Sequence, residues 1–289
     1  MSETNDAAVP APGYAAVVIA YHRPDLLRVV LERLRAQTRP PELVVVVDNG
    51  GDIEETSLAG FALPLELVTR DDNPGYAAAV NIAAARARAA GIANLLVLTH
   101  DAVFAPTLAG ALLDALSDDP RAGCVAPTLR WVSRPDRIFS SGGVLTRGGR
   151  AYHRTDEVVG DARAVHWVDG AVALYRGTAL EGIGGIDERY FLYFEDVDTG
   201  WSLARAGWRT LVVSETAQQE PGAHPLRLGL RNMVLFARKA RLPVVPAVVG
   251  VARRAAEELV VGVRRDRRLH LPAAIRGIRD GLAGRQGRP

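Results

Sequence analysis

A single cysteine, Cys124, in 289 residues excludes an intramolecular disulfide framework and any cysteine-based metal site. No uninterrupted apolar run reaches the roughly 18 residues that a membrane-spanning helix needs. The first residues, Met1 to Gly13, have no basic stretch ahead of an apolar one, so they read as a disordered lead-in and not as a signal peptide. There is no internal repeat, and the dispersed Gly and Pro exclude a low-complexity class. The formal charge of +2 is too small to argue for nucleic acid. These absences point to a globular chain in a reducing compartment, with a cytoplasmic location expected and the basic excess gathered in the tail.

Apolar runs then alternate with helical patterns. Tyr14 to Ala20 reads as a buried strand ending at Tyr21-His22-Arg23-Pro24-Asp25, and Leu26, Leu27, Val30, Leu31 and Leu34 recur at helical spacing. A strand over Leu43 to Val47 ends at Asp48-Asn49-Gly50-Gly51, completing a β-α-β unit with parallel strands. Leu65 to Thr69 predicts a third strand, the Asn73-Pro74-Gly75 turn opens an alanine-rich helix from Tyr76 to Ala90, and Asn94 to Leu98 predicts a fourth strand ending at Thr99-His100-Asp101. Ligands of open α/β sheets sit at the carboxyl ends of strands, where Tyr21, Asp48 and Asp101 all fall. A nucleotide-sized ligand follows from that placement.

The second half is less regular. Strands are expected at Cys124 to Leu129, Ala171 to Tyr175 and Thr210 to Val213, and helices at Pro106 to Ser117, Gly177 to Glu181, Trp201 to Ala206 and Pro225 to Ala240. Between two of these helices lies the densest stretch in the chain, Gly184-Gly185-Ile186-Asp187 through Phe191-Leu192-Tyr193-Phe194 to Glu195-Asp196-Val197-Asp198. Its carboxylates suit a general base at a cleft mouth. The same acids are also what the first turn of a helix commonly carries.

The ordered set formed by strand-end Asp48, Asn73-Pro74-Gly75-Tyr76 with Asn81, Thr99-His100-Asp101, and the segment from Gly184 to Asp198 resembles the inverting GT-A glycosyltransferases of family 2, nearest to their rhamnosyltransferase-like branch, over about residues 14 to 240. The resemblance implies an α/β GT-A fold: a Rossmann-like nucleotide-binding half over 14–105, an acceptor and catalytic half over 106–240, and a basic helical extension over 241–289. It implies a nucleotide-diphosphate sugar donor, UDP- or dTDP-linked, and a carbohydrate, lipid-linked glycan or small-molecule acceptor. Asp196 matches the base of a single displacement, with Glu195 beside it.

Ala20, Tyr21, Arg23, Asp48, Asn73, Gly75, Asn81 and Asp101 fall on nucleotide-contacting positions, and Trp167, Asp169, Gly170 and Asp198 on sugar- or acceptor-contacting ones. In isolation Asp48 also suits a turn before Asn-Gly. Asp101 would hold Mg2+ or Mn2+ with the diphosphate, although Thr99 and His100 replace the family's Asn and Pro, and Gln219 or Glu220 stands near the place of a family histidine, with His224 further on. His100 then reads as a loop histidine, and Trp201 and Trp208 read as core. A catalytically silent nucleotide-sugar binder is the alternative function. For the tail, where Arg253-Arg254, Arg264-Arg265 and Arg267-Arg268 alternate with Val and Leu, the expectation is a docking or dimerisation element with at most weak peripheral membrane contact.

Overall fold

The computed structural model describes residues 13–220, 222 and 225–289. His224 and the lead-in before Gly13 lie outside these residues. β1 (Tyr14–Ala20), β2 (Leu43–Asp48), β3 (Leu65–Thr69) and β4 (Asn94–Thr99) are parallel in the order β3-β2-β1-β4, with Ala20 opposite Asp48 and Ile19 opposite Thr99. Strand order therefore reverses at β1, and the carboxyl ends of β1 and β4 are the switch point outside which ligands of open α/β sheets bind. Because β1 is covered on both faces, it is apolar at every position. Ala16 and Val18 pack with the buried side of α1 (Pro24–Arg35) and α3 (Leu108–Asp118), while Ala15 and Val17 pack with α2 (Tyr76–Ala89).

The sheet continues as a mixed half. β11 (Val172–Arg176) runs antiparallel to β4 and to β6 (Ala122–Trp131), and β12 (Arg209–Gln219) runs parallel to β6. Short strands attach to this half: β5 (Val103–Phe104) and β10 (Ala162–Val165) to β12, and β7 (Ile138–Ser140) to β6; β8 (Gly143–Leu145) and β9 (Ala151–His153) form a separate hairpin pair. β12 is longer than the expected Thr210 to Val213, because a bulge between Val213 and Thr216 interrupts the alternation that marks a strand in sequence.

α4 (Gly177–Gly182) precedes the acidic segment, which opens α5 (Glu195–Arg205). α6 (Leu226–Lys239), α7 (Val244–Asp266) and α8 (Leu271–Leu282) follow. α8 is not a loose appendage. A Cβ on Gly277 would lie 2.4 Å from the Arg227 carbonyl and one on Gly281 2.6 Å from the Val234 side chain, so α6 and α8 pack at glycine-only separation. α7 instead leaves Val244, Val245, Val248 and Val249 exposed. No helix among the described residues is long and apolar enough to cross a membrane.

Candidate active site

At the carboxyl ends of β1 and β4, Tyr21, Arg23 and Asp101 come together. Tyr21 is 43% exposed with its ring 4.1 Å from that of His22, so one aromatic surface is open to a planar ligand. Arg23 chelates Asp25 and also feels the charge of Asp101. His100 is the loop histidine expected: its Nδ1 is 3.1 Å from the Ile19 carbonyl. At the last residue of β4, two positions before Asp101, the Thr99 hydroxyl is buried with no hydrogen-bond partner.

Three of the expected nucleotide contacts, Asp48, Ala20 and Asn81, are committed to the scaffold. Asp48 is fully buried: one carboxylate oxygen accepts the Gly50 and Gly51 N–H groups at 2.9 and 3.0 Å, and the other accepts that of Ile53 at 2.9 Å. It is the anchor of its own turn, and no face of it is open to a base. Ala20 is buried in β1, and its carbonyl accepts the Asn49 N–H. Asn81 lies further off still, on α2, where its amide donates to Ile186 O and Glu188 Oε1 at 2.8 Å and accepts the Ile186 N–H at 2.9 Å. It latches α2 to the acidic segment. Asn73, at φ 43°, accepts the Gly75 N–H, and Gly75, at φ 95°, brings its Cα so close to Phe191 that a Cβ would lie 2.3 Å from the Phe191 carbonyl.

The mixed half of the sheet reaches the same edge through β4 and β11: the Thr99 N–H donates to Ala171 O at 3.0 Å, which sets Asp169-Gly170-Ala171 beside the Thr99-His100-Asp101 turn. Asp169 accepts the Ala171 N–H, and the Gly170 carbonyl accepts the buried Tyr76 hydroxyl at 2.7 Å. Gly170 is thus a seat for Tyr76, since a Cβ there would meet the hydroxyl at 2.7 Å. Trp167 is 4% exposed and pressed between Gly143 and Gly200, so it is core with no ring face open to a sugar; its indole N–H has no partner.

Glu195 and Asp196 open α5. Burial, followed by the charge of Asp196, pushes the Glu195 carboxyl well up, and its Oε2 has no hydrogen-bond partner. Asp196 retains some solvent contact and accepts the Val197 N–H at 2.7 Å. Burial and then the neighbouring Asp169 push its carboxyl up to about 7. Asp198 turns the other way. It is 1% exposed, accepting from Lys239 Nζ at 2.5 Å and from the Tyr190 hydroxyl at 3.2 Å, so it fastens α5 to α6 and is not available to a sugar.

What places Asp196 is a strained loop. Phe191, Tyr193 and Phe194 have φ of 67°, 66° and 76°, and with His22 and Asn73 they make five of the seven positive-φ non-glycine residues among those described. Such strain persists only where the surroundings over-determine it. Here they do: the Asn232 amide, fully buried, donates to the carbonyls of Tyr190, Leu192 and Tyr193 at 3.1, 2.9 and 2.7 Å, and Arg231 donates to Tyr190 O and to Asn232 Oδ1. Lys239 also holds Asp187, whose carboxyl burial would raise but Arg189 and Lys239 bring down below the usual range. Sequence reasoning missed Arg231, Asn232 and Lys239. The available signal was a polar Arg-Asn pair amid Leu228, Leu230, Met233 and Phe236 on the apolar side of a helix.

A parallel nucleotide-crevice half joined through β4 and β11 to a mixed half, with carboxylates from both on one edge, defines a GT-A glycosyltransferase. The profile of the family described as Glycosyltransferase like family 2 matches residues 11–264, and the chain belongs to that family. It is 32% identical over 235 residues to the N-acetylglucosaminyl-diphospho-decaprenol L-rhamnosyltransferase of Mycobacterium tuberculosis, covering 72% of this chain and 76% of that one. In fold it is similar to the mannosyltransferase PcManGT from Pyrobaculum calidifontis in complex with GDP-Man and Mn2+, with TM-score 0.58, 17% identity, and 94% of this chain and 87% of that one covered. It is also similar to S. aureus TarS 1-349 in complex with UDP-GlcNAc, with TM-score 0.64, 15% identity and coverages of 94% and 81%.

Among the described residues no cluster of three or more His, Cys, Asp or Glu side chains is placed to hold a metal ion. Glu220 is occupied, accepting from the Ser133 N–H and hydroxyl. The residues present still fit a cation held partly by substrate, because Mg2+ is commonly bound through one or two carboxylates plus substrate phosphates, and Asp101 follows the end of β4 by two residues, with the unpartnered Thr99 hydroxyl at that end.

Proposed function

We propose that this glycosyltransferase moves a sugar, L-rhamnose from dTDP being the first candidate and a UDP-linked hexose the second, to a hydroxyl of a sugar linked through diphosphate to a lipid. The sugar and the acceptor follow the mycobacterial relative's name, and the nucleotide carriers follow the family resemblance of the sequence. The observation that carries the chemistry is Asp196, a partly open carboxylate raised to about 7 at the edge shared by both halves, where a base poised near neutrality is most effective.

In this reading Asp196 takes the proton of the acceptor hydroxyl as that oxygen bonds to the anomeric carbon. The bond from that carbon to the phosphate oxygen breaks on the opposite face, the nucleoside diphosphate leaves with the electron pair, and configuration inverts. Glu195, buried against Asp196, keeps the pair from ionising together at neutral pH. Tyr21 offers its ring to the base, and Arg23 lies within reach of the phosphates. Asp101 and Thr99 would hold Mg2+ or Mn2+, which supplies positive charge to the leaving diphosphate. For the open α7 valines the reading is self-association over membrane contact, because the exposed positions carry no aromatic anchor.

The test is a panel of dTDP-, UDP- and GDP-sugars in thermal-shift and transfer assays, with and without manganese. Selective stabilisation by dTDP-rhamnose, with transfer to a diphosphate-linked N-acetylglucosamine, supports the reading. Turnover of another donor alone overturns the choice of sugar.

A further inference from the structure

The segment after α8 folds back along α6. The Gly287 N–H donates to Arg189 O at 2.9 Å, Arg231 Nη1 donates to Gly287 O at 2.7 Å, and Arg288 Nη1 reaches Asp72 O at 3.4 Å. A cavity of about 310 Å³ beside this segment is lined by Arg227, Arg231, Arg285 and Arg288 together with Asp280, Gln286 and Pro289, the last residue of the sequence. A second cavity, of about 320 Å³, shares Gln286 with the first and is lined by Arg189, Arg238 and Lys239.

Asp280 and the terminal carboxylate of Pro289 still leave the four guanidinium groups in excess. Asp280 gives one oxygen to Arg227 at 2.7 Å and the other to Arg285 at 2.9 Å, while Arg231 meets only carbonyls and the Asn232 amide, and Arg288 only a carbonyl. Arg227 moreover sits in the first turn of α6, where the positive end of the helix dipole disfavours a cation. Like charges held together in this way lose their repulsion when an anion arrives, and the planar forks of Arg match phosphate oxygens in pairs. Three of the four are already held, Arg227 and Arg285 by Asp280 and Arg231 by the carbonyls it caps, so a ligand would have little of that ordering to do.

We propose that this cavity between α6 and α8 binds the diphosphate of the acceptor, a phosphate site separate from the one that takes the donor. The proposal rests on the diphosphate-linked acceptor named under Proposed function. Its consequence for the reaction is direct, since Arg231 also holds Tyr190, and Tyr190 holds Asp198 in the same turn of α5 as Asp196. An acceptor gripped here is tied to the loop that carries the base.

The test titrates the full chain with inorganic diphosphate and with farnesyl diphosphate by calorimetry, keeping dTDP in excess so that the donor site is filled. Wild type is expected to bind both, more weakly as salt rises, and the Arg285→Gln/Arg288→Gln variant to bind both at least about tenfold more weakly, as the loss of charge-assisted bonds implies. Equal affinity in wild type and variant overturns the site. Binding of inorganic diphosphate without farnesyl diphosphate overturns its assignment to a lipid-linked acceptor. In transfer assays the variant's KM for a diphosphate-linked N-acetylglucosamine should rise at least about tenfold, against a far smaller change for an alkyl N-acetylglucosaminide. If wild type transfers to neither acceptor, the functional reading fails, and the diphosphate titration still decides the cavity.

Discussion

The side-chain amide of Asn232, on α6, donates to the carbonyl of Tyr193 at 2.7 Å, three residues ahead of Asp196. With its bonds to Tyr190 and Leu192 it holds a loop in which Phe191, Tyr193 and Phe194 are all left-handed, a conformation that costs bulky side chains energy at each position. The carboxylate's position is therefore set by a helix that begins about thirty residues further along the chain.

Removing that amide tests the relationship. Asn232→Ala leaves buried carbonyls without a donor, at a cost of about 1–3 kcal/mol for each one left unsatisfied. The expected result is a melting temperature several degrees lower, together with a loss of transfer rate that exceeds any loss of donor affinity. Chemical denaturation and steady-state kinetics measure the two parts, and an unchanged rate in a folded variant would separate the loop from catalysis.

Asp196→Asn keeps the acceptor oxygen that meets the Val197 N–H but loses the carboxylate proposed as the base. Transfer should fall by at least about a hundredfold with donor affinity nearly unchanged. A near-normal rate would move the base elsewhere on this edge, with Asp169 the next to examine.

The transfer rate should rise with pH through about 7, because Asp196 accepts a proton only when ionised. Asp169→Asn removes the charge that, after burial, holds that value up, so the rise should move to lower pH. Stability runs the opposite way. The folded state keeps the Asp196 proton where the unfolded chain, with an ordinary value of 3.8, has lost it, so this group's contribution is full below about pH 4 and is lost as pH climbs through about 7. Denaturation curves at pH 4 and pH 8 should show Asp196→Asn gaining on wild type only at the higher pH.

Asp101→Ala should weaken nucleoside-diphosphate binding and remove any dependence of that binding on manganese. Calorimetric titration of dTDP and UDP with and without the ion decides it, and equal manganese dependence in wild type and variant would take Asp101 out of the cation site.

Gly75→Ala should be among the most damaging small changes in the chain. It forces a side chain into φ 95° and sets a Cβ 2.3 Å from the Phe191 carbonyl, so either α2 or the loop before Asp196 must shift. A loss of more than about 1 kcal/mol of stability follows from the backbone conformation alone. Activity falling further than stability would show that the loop is what moved.

The local pattern of the sequence was enough for the parallel half. All-apolar runs such as Leu43 to Val47, helical spacing in Leu27 to Leu34 and breakers such as Asn73-Pro74-Gly75 act within a few residues, so β1 to β4 and the crossovers through α1 and α2 are legible, while the short turn at Glu55–Leu58 between β2 and β3 carries no such pattern. The carboxylates of the acidic segment were legible as candidates for the same reason. What each polar side chain does was decided only in three dimensions. Asp48, Asn81 and Asp198 look alike in sequence as short polar residues in motif positions, yet backbone amides consume the first, the turn at Ile186 the second and Lys239 the third. Asp196 differs because no cation among the described residues pairs with it: burial and then the charge of Asp169 raise it against the backbone N–H groups that hold it, and Asp169 lies far from it in the chain. Hydrophobic periodicity is a property of neighbours along the chain. The desolvation and charge that tune a carboxylate belong to neighbours in space, and only the tertiary structure sets those.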